Sequence, residues 1–370
     1  MSSQPQLRLQ FIVFALVAAS FTNIYITQPV LPVLQNEFAA DAVTVSYSVA
    51  AVILGIALAN MPFGALVVAL AGLLCAITDN LGLLIGARFV QGLFIPALTT
   101  CLAAFLARTL PSERLSVVMG SYVSATVIGG LGGRLLGGWI HPPLHWRYAF
   151  VFAAVWILIA GLIALLALPR EERHHDQQKQ QPSYWEIIKR WDPLRIYLVS
   201  CGSFFVFSSV FNYLPFRLEA PPSSLATEWI TLLYLTYLMG VFIGPMAGKL
   251  SNRFGSAISM ISGTLVLAFS MSLTLLSSII AMVLALLGVC AGFFALHAAA
   301  VGTLNQRVTS GQGRANALYV LLYYLGGWIG ITVCGLIYEQ AGWNGAVMVC
   351  LGMLLIPLMI GITEQRCPNR

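Results

Sequence analysis

The chain predicts an all-α, polytopic membrane protein of two six-helix bundles, and three observations carry that fold class. Apolar runs of bilayer-spanning length follow one another almost from end to end. Of the 370 residues, 59% are hydrophobic and 9% charged, with a mean hydropathy of +0.86, whereas soluble domains carry about 25% charged residues. One polar stretch near the middle divides the runs six and six. A helix needs about 20 apolar residues to cross a hydrocarbon core of about 30 Å, because each peptide group must be satisfied within its own helix. The formal charge of +6 resides in short loops and not on one interleaved face. That pattern orients a membrane protein and argues against nucleic acid as a partner.

In chain order, the apolar runs place spans near residues 9–34, 44–60, 64–79, 81–107, 115–139, 148–168, 194–216, 226–247, 256–276, 278–303, 312–338 and 343–363. The first follows Arg8 and runs far beyond signal-peptide length, so it reads as a retained span. Between Thr44 and Thr78 there is no charge, only the turn signal Asn60-Met61-Pro62-Phe63-Gly64. A single span there would put the loop carrying Arg108 and Arg114 on the wrong side, so charge parity requires two spans joined by a minimal hairpin. The third span, about 15 residues, then covers only some 22 Å.

The polar stretch after Leu168 contains Glu171-Glu172-Arg173-His174-His175-Asp176 and ends in Tyr184-Trp185-Glu186-Ile187-Ile188-Lys189-Arg190-Trp191. It reads as a cytoplasmic linker at 169–192 between an N-terminal bundle (1–168) and a C-terminal bundle (193–370), its aromatic and basic end lying along the interface. Basic residues at Arg8, Arg108 with Arg114, Arg170 to Arg195, Lys249 with Arg253, Arg307 with Arg314, and Arg366 with Arg370 fall in alternate loops. Both termini are therefore expected in the cytoplasm. The opposite loops are acidic, with Arg147 and Arg217 as the basic exceptions. The halves echo each other: Gly133 followed by Trp146 recurs as Gly330 followed by Trp343. Parallel six-span repeats are a known transporter architecture, with the solute site between the halves.

Two motifs stand out. Ser121, Ala125, Gly129, Gly133 and Gly137 are spaced by four and form one small-residue stripe on the fifth span, which admits close approach of another helix and a face that can slide. Arg88, Gln91 and Gly92 share one face of the fourth span, and Arg134 sits within the fifth. An arginine inside a span must face a cavity or a partner, or snorkel to the surface. The seven cysteines show no CxxC spacing and read as packing residues. No nucleophile with a base, no metal-ligand cluster and no phosphate-binding loop is found, so an enzyme, a metal site and a cofactor are not expected.

These motifs identify a resemblance to the major facilitator superfamily, and within it to the bacterial efflux-like acriflavin-sensitivity branch. Arg88-x-x-Gln91-Gly92 resembles the family's fourth-helix motif, and Gly129-x-x-x-Gly133-Arg134-x-x-Gly137-Gly138 its fifth-helix antiporter motif, with Arg134 where many exporters carry proline. Phe211-Asn212-Tyr213-Leu214-Pro215, Gly292-Phe293-Phe294-Ala295-Leu296-His297 and Tyr323-Tyr324-Leu325-Gly326-Gly327 extend the likeness. Gly248-Lys249-Leu250-Ser251-Asn252-Arg253-Phe254-Gly255 resembles the conserved gating loop in its second-half copy, with Asn252 where the family has an acid. The first-half copy is missing after Gly64, which reads as an internal deletion.

The resemblance implies alternating access and export of a small organic solute with proton antiport. The cavity would be lined by Asn23, Tyr25, Gln28, Arg88, Gln91, Asn212, Tyr213, Tyr234, Tyr237, His297, Tyr323 and Tyr324. Gly129, Gly133, Arg134, Gly137, Gly138, Gly248, Asn252, Arg253 and Gly255 would carry the conformational motifs. The expected setting is a monomer in the bacterial inner membrane. No carboxylate lies near the middle of any span, so His297 is the titrating candidate for the proton. Uptake, or a transport-deficient remnant, is the alternative function.

Overall fold

The computed structural model describes residues 3–58, 64–109, 112–168, 182–308 and 310–366. Asn60 to Phe63 of the hairpin signal, and residues 169–181 of the polar linker, lie outside the described residues. The described secondary structure is entirely helical, as uninterrupted apolar sequence in a bilayer demands.

The first half contains α1 (Ser3–Tyr25), α2 (Leu31–Glu37), α3 (Ala42–Leu58), α4 (Gly64–Ile77), α5 (Leu81–Thr109), α6 (Ser112–Ile140) and α7 (Arg147–Ala167). Then follow α8 (Tyr184–Lys189), α9 (Trp191–Glu219), α10 (Thr227–Leu233), α11 (Met239–Phe254), α12 (Ser256–Leu273), α13 (Ile279–Arg307) and α14 (Gln312–Arg366). Most expected spans are single helices, and four depart from the simple reading. The first is broken: α1 stops at Tyr25, a 3-10 turn covers Gln28–Val30, and α2 resumes. Pro29 and Pro32 have no N–H to donate, so the α-helical ladder cannot pass through this segment. The eighth is α10 and α11 joined by a 3-10 turn at Tyr234–Leu238. The eleventh and twelfth form one continuous helical path bent at Gly342, whose φ of 61° lies in the left-handed region that favours glycine. α4 has only 14 residues, about 21 Å at 1.5 Å per residue.

Chain contacts divide the molecule into two compact units, Met1–His174 with Leu225–Leu235, and His175–Ser224 with Thr236–Arg370. In the first, α1 packs on α5, α6 and α7, α3 and α4 pack on α5, and α10 adds to α6. In the second, α9 lies along α14 and α13, and α12 packs between α13 and α14.

The echo between the halves has a structural basis. In the first unit, a Cβ on Gly129 or Gly133 would stand 2.4 Å from the Ala18 carbonyl oxygen or 2.2 Å from that of Thr22. In the second, a Cβ on Gly326 or Gly330 would stand 2.3 Å from the Cys201 oxygen or 2.4 Å from that of Phe205. Each unit thus seats a glycine stripe on the backbone of its own leading helix. Each echoing tryptophan is also anchored by its indole: Trp146 donates to Glu37, and Trp343 to the Thr274 carbonyl at 3.2 Å and hydroxyl at 3.1 Å.

Arg147, one of the two basic exceptions among acidic loops, is accounted for in the same place. Its guanidinium pairs with Glu37 and, at 2.8 Å, with Asp79, and donates to the Thr78 carbonyl at 2.9 Å. Burial would raise the Glu37 carboxyl, but the Trp146 indole and the Arg147 cation outweigh it and hold the group below its ordinary range. A cation fixed in this way adds little net positive charge to its loop.

Candidate functional site

The break in the first span is the organising feature of the first unit. A helix that ends leaves its last carbonyls without intrahelical donors and presents the negative end of its dipole. Here the ending is buried, so the donors must come from protein. Arg88, on α5 and wholly buried, supplies them. Its Nη1 donates to the Asn23 carbonyl at 2.5 Å and to Gln91 Oε1 at 2.7 Å, its Nη2 donates to the Ile24 carbonyl, and its Nε donates to the Ser48 carbonyl of α3 at 2.9 Å. Gln91, one helical turn on, donates to the Val68 carbonyl of α4 at 3.0 Å and reaches Asn23 Oδ1 at 3.5 Å. Arg88 and Gln91 therefore tie α1, α3 and α4 to α5.

The second arginine grips the other side of the break. Arg134, buried on α6, donates from Nε to Gln28 Oε1 at 2.7 Å and from Nη1 to the Gly130 carbonyl at 2.8 Å. Its guanidinium carbon lies 3.8 Å from the centre of the Tyr25 ring and 5.5 Å from that of Tyr234, within cation–π range. The glycine stripe makes this possible. With Gly133 on the Thr22 backbone and a Gly137 Cβ position only 1.9 Å from the Ile26 oxygen, α6 and α1 touch main chain to main chain. The Thr22 hydroxyl closes the contact by donating to the Gly129 carbonyl at 3.1 Å. Gly138 faces Thr231 of α10 equally closely.

The second unit holds an aromatic column. Phe204 stacks on Tyr323 with ring centres 3.9 Å apart, and Phe207 on Phe293 at 3.8 Å. Tyr237 sits against Phe207 and Phe211, each at 5.2 Å, and Tyr324 meets Tyr323 edge-on at 5.1 Å. His297 lies 5.1 Å from Tyr323, and its Nδ1 shares a 3.0 Å hydrogen bond with the Tyr319 hydroxyl. Polar atoms thus enter the column at its His297 end.

The sequence candidates fall into groups. Asn23, Tyr25, Gln28, Arg88, Gln91, Arg134 and Tyr234 gather around the α1 break, while Tyr237, His297, Tyr323 and Tyr324 gather in the column. Asn212 is buried on α9. Tyr213 turns elsewhere, donating to the Ile331 carbonyl at 2.8 Å and stacking on Tyr338 at 5.3 Å. Gly129, Gly133, Gly137 and Gly138 form the contact just described. The Asn252 side chain and the surroundings of Gly248 lie outside what is described. Arg253 is exposed over Phe254, and Gly255, with φ of 91°, ends α11.

Sequence reasoning missed one charged centre. Glu364 is buried near the end of α14 and is the one buried carboxylate among the described residues. It pairs with Arg195 of α9 at 2.7 Å and with Arg307 of α13, while Asp192 pairs with Arg195. The signal was available: Asp192, Arg195, Arg307 and Glu364 all flank apolar runs that parity places at the same membrane face.

A model of the Major Facilitator Superfamily matches residues 13–221 of this chain. The inner membrane transport protein YnfM of Escherichia coli is 30% identical across 97% of this chain and 91% of its own length. The Bacillus subtilis transporter YybF, described as of MFS type, is 24% identical across 94% and 92%. Among solved structures, a bacterial homolog of the human lysosomal transporter Spinster, inward-facing and unoccupied, superposes with a TM-score of 0.80 at 14% identity. That match covers 99% of this chain and 98% of the other, so the two share a fold.

Proposed function

Since the chain belongs to the Major Facilitator Superfamily, and is therefore a multi-pass membrane transporter of a small-molecule solute and not an enzyme, we propose that it exports an amphipathic organic solute by alternating access, coupled to protons. The observation that carries the reading is the buried break in the first span. Secondary transporters typically build their solute sites at discontinuous helices, where irregular backbone at membrane depth is buried in protein or lines a cavity. Asn23, Tyr25, Gln28, Gln91 and Tyr234 offer that site aromatic faces and hydrogen-bonding groups, the composition that suits amphipathic ligands, and within the second unit the column around Tyr237, Tyr323 and Tyr324 has the same character. Arg88 contributes a formal positive charge matched by carbonyl dipoles and not by a carboxylate, which disfavours permanent cations.

Export and antiport are supported by the likeness of the fourth-, fifth- and seventh-span motifs to the acriflavin-sensitivity branch. A bacterial inner-membrane location, with both termini in the cytoplasm, is supported by the charge pattern of the loops and by the name of the YnfM relative. For the proton we assign His297, which is paired to Tyr319. Inverted vesicles carrying the protein are expected to accumulate an amphipathic fluorescent solute when a proton gradient is imposed. His297→Gln should lose the gradient-driven accumulation and keep solute exchange at equal pH. Unchanged accumulation in that variant would remove His297 from coupling.

A second reading, a transport-deficient remnant, is favoured by one feature. α4 is short, and the YnfM alignment runs over 382 positions although 97% of 370 residues is about 359. This chain therefore lacks about 23 of those positions (382 minus 359), a shortfall large enough to include a lost gating loop. Absence of any gradient-driven flux in the same vesicles, with the protein folded, favours that reading.

A further inference from the structure

We propose that α8, with the adjoining start of α9 and Arg314, is a docking surface for the headgroups of anionic phospholipids. It rests on the chain's spanning a bilayer and not on which solute it carries.

α8 is short, and the fold holds it in place at its start and along its inner side. Ser183 caps it, its hydroxyl accepting from the Trp185 N–H at 3.3 Å while Glu186 accepts from the Ser183 N–H at 2.9 Å. This reciprocal capping satisfies two otherwise free donors. On the inner side Ile187 is buried among Ile196, Tyr197, Leu304, Val308 and Ala315 of the second unit. Arg314 donates to the Pro182 carbonyl at 2.9 Å and lies over the Tyr184 ring at 5.5 Å. A six-residue helix would not persist alone in water, so these contacts fix its orientation.

That orientation turns a mixed aromatic and basic face outward. Trp185 is 64% exposed and Trp191 62%. Lys189, exposed, lies 5.0 Å from the Trp185 ring centre, and Arg190 beside it is exposed as well. Large exposed rings would be a liability in water, whereas at a membrane–water interface tryptophan is the favoured residue and cations attract anionic headgroups. Trp191 opens α9, a 29-residue helix apolar enough to span the bilayer, so the patch lies where that helix enters the membrane. A partner confined to the membrane plane reaches it without leaving the bilayer. Glu186 is the one acid within α8 and its carboxylate is engaged in the cap, while Asp192 at the start of α9 is paired with Arg195. Among the described residues, the unpaired outward charge is therefore that of the basic residues Lys189 and Arg190, with Arg314 beside them. Charge complementarity selects phosphatidylglycerol-like lipids over zwitterionic ones.

The test uses the full chain purified into nanodiscs of phosphatidylcholine alone or mixed with phosphatidylglycerol. The melting midpoint and the phosphatidylglycerol retained on extraction are read for the native chain and for a variant combining Lys189→Gln and Arg190→Gln. Both side chains are exposed, so the variant keeps its fold. The native protein should melt higher in the mixed discs and retain phosphatidylglycerol. The variant should lose that shift and retain about ten-fold less, because each cation near an anionic surface contributes appreciably to binding. Equal behaviour of native and variant chains would overturn the proposal. So would an equal shift from inorganic phosphate added to phosphatidylcholine discs, which would mark a free-phosphate site, or capture of a soluble acidic protein in place of lipid. Solute flux measured on the same variant keeps failure here separate from failure of the transport reading.

Discussion

Arg88→Ala is expected to abolish solute flux while the protein still inserts in the membrane. The guanidinium bonds the Asn23, Ile24 and Ser48 carbonyls and the Gln91 side chain from one buried position. Removing it leaves several buried acceptors unmet, each costing about 1–3 kcal/mol, and frees the end of α1 from α5. Water entering the vacated volume would recover part of that stability, so insertion persists while the shape of the break does not. Arg88→Lys separates charge from geometry. An ammonium keeps the cation but lacks the planar fork that reaches separate carbonyls on α1 and α3 at once. Its flux should fall about ten-fold or more, with a melting point between those of the native chain and the alanine variant. Flux in inverted vesicles, normalised to folded protein by size-exclusion chromatography, reads both effects. Unimpaired flux in Arg88→Ala would show that the break does not need its cap.

Gly133→Ala should be nearly as damaging, and its neighbour should not. A methyl at Gly133 would stand 2.2 Å from the Thr22 carbonyl oxygen, so α6 must move away from α1. Overpacking of this kind costs about 1–3 kcal/mol. The displacement would also stretch the Thr22–Gly129 hydrogen bond and the Arg134–Gln28 pair. At Gly132 the nearest group to an added Cβ is the Thr22 hydroxyl at 3.6 Å, ordinary contact. Alanine there should be neutral or stabilising by up to about 1 kcal/mol through helix propensity. Thermal unfolding in detergent and flux in vesicles, compared for the two alanine variants, check the contrast. Equal effects at both positions would mean that the stripe is not a close contact.

The glycine contact was legible because a spacing of four is itself a statement about one helical face, and the echo in the second half needed only comparison of the two. The break was not legible in the same way. Hydropathy averaged over a span reads Pro29 and Pro32 as two more apolar residues, although each lacks the N–H that a continuous helix requires. The partners of Arg88 were hidden for a related reason: apart from Gln91 they are backbone carbonyls, which no inventory of side chains contains. Tyr213 and Tyr237 have the same residue type in similar apolar surroundings, yet one is tied to the Ile331 carbonyl and the other joins the aromatic column. Only packing separates them. Glu364 lay one residue beyond the apolar run assigned to the last span and so passed for tail, although burial and two arginines make it part of the second unit's interior.

A single accessibility measurement bears most directly on alternating access in this chain. Tyr324→Cys, in a background without the native cysteines, is exposed to a membrane-impermeant thiol reagent on intact cells and on inverted vesicles. The ring it replaces is half-buried at the edge of the aromatic column. Labelling is expected from both sides, with the rate from either side changed by the proton gradient. Labelling from one side only under every gradient, or from neither, would contradict alternating access and leave a static membrane protein with the fold of a carrier.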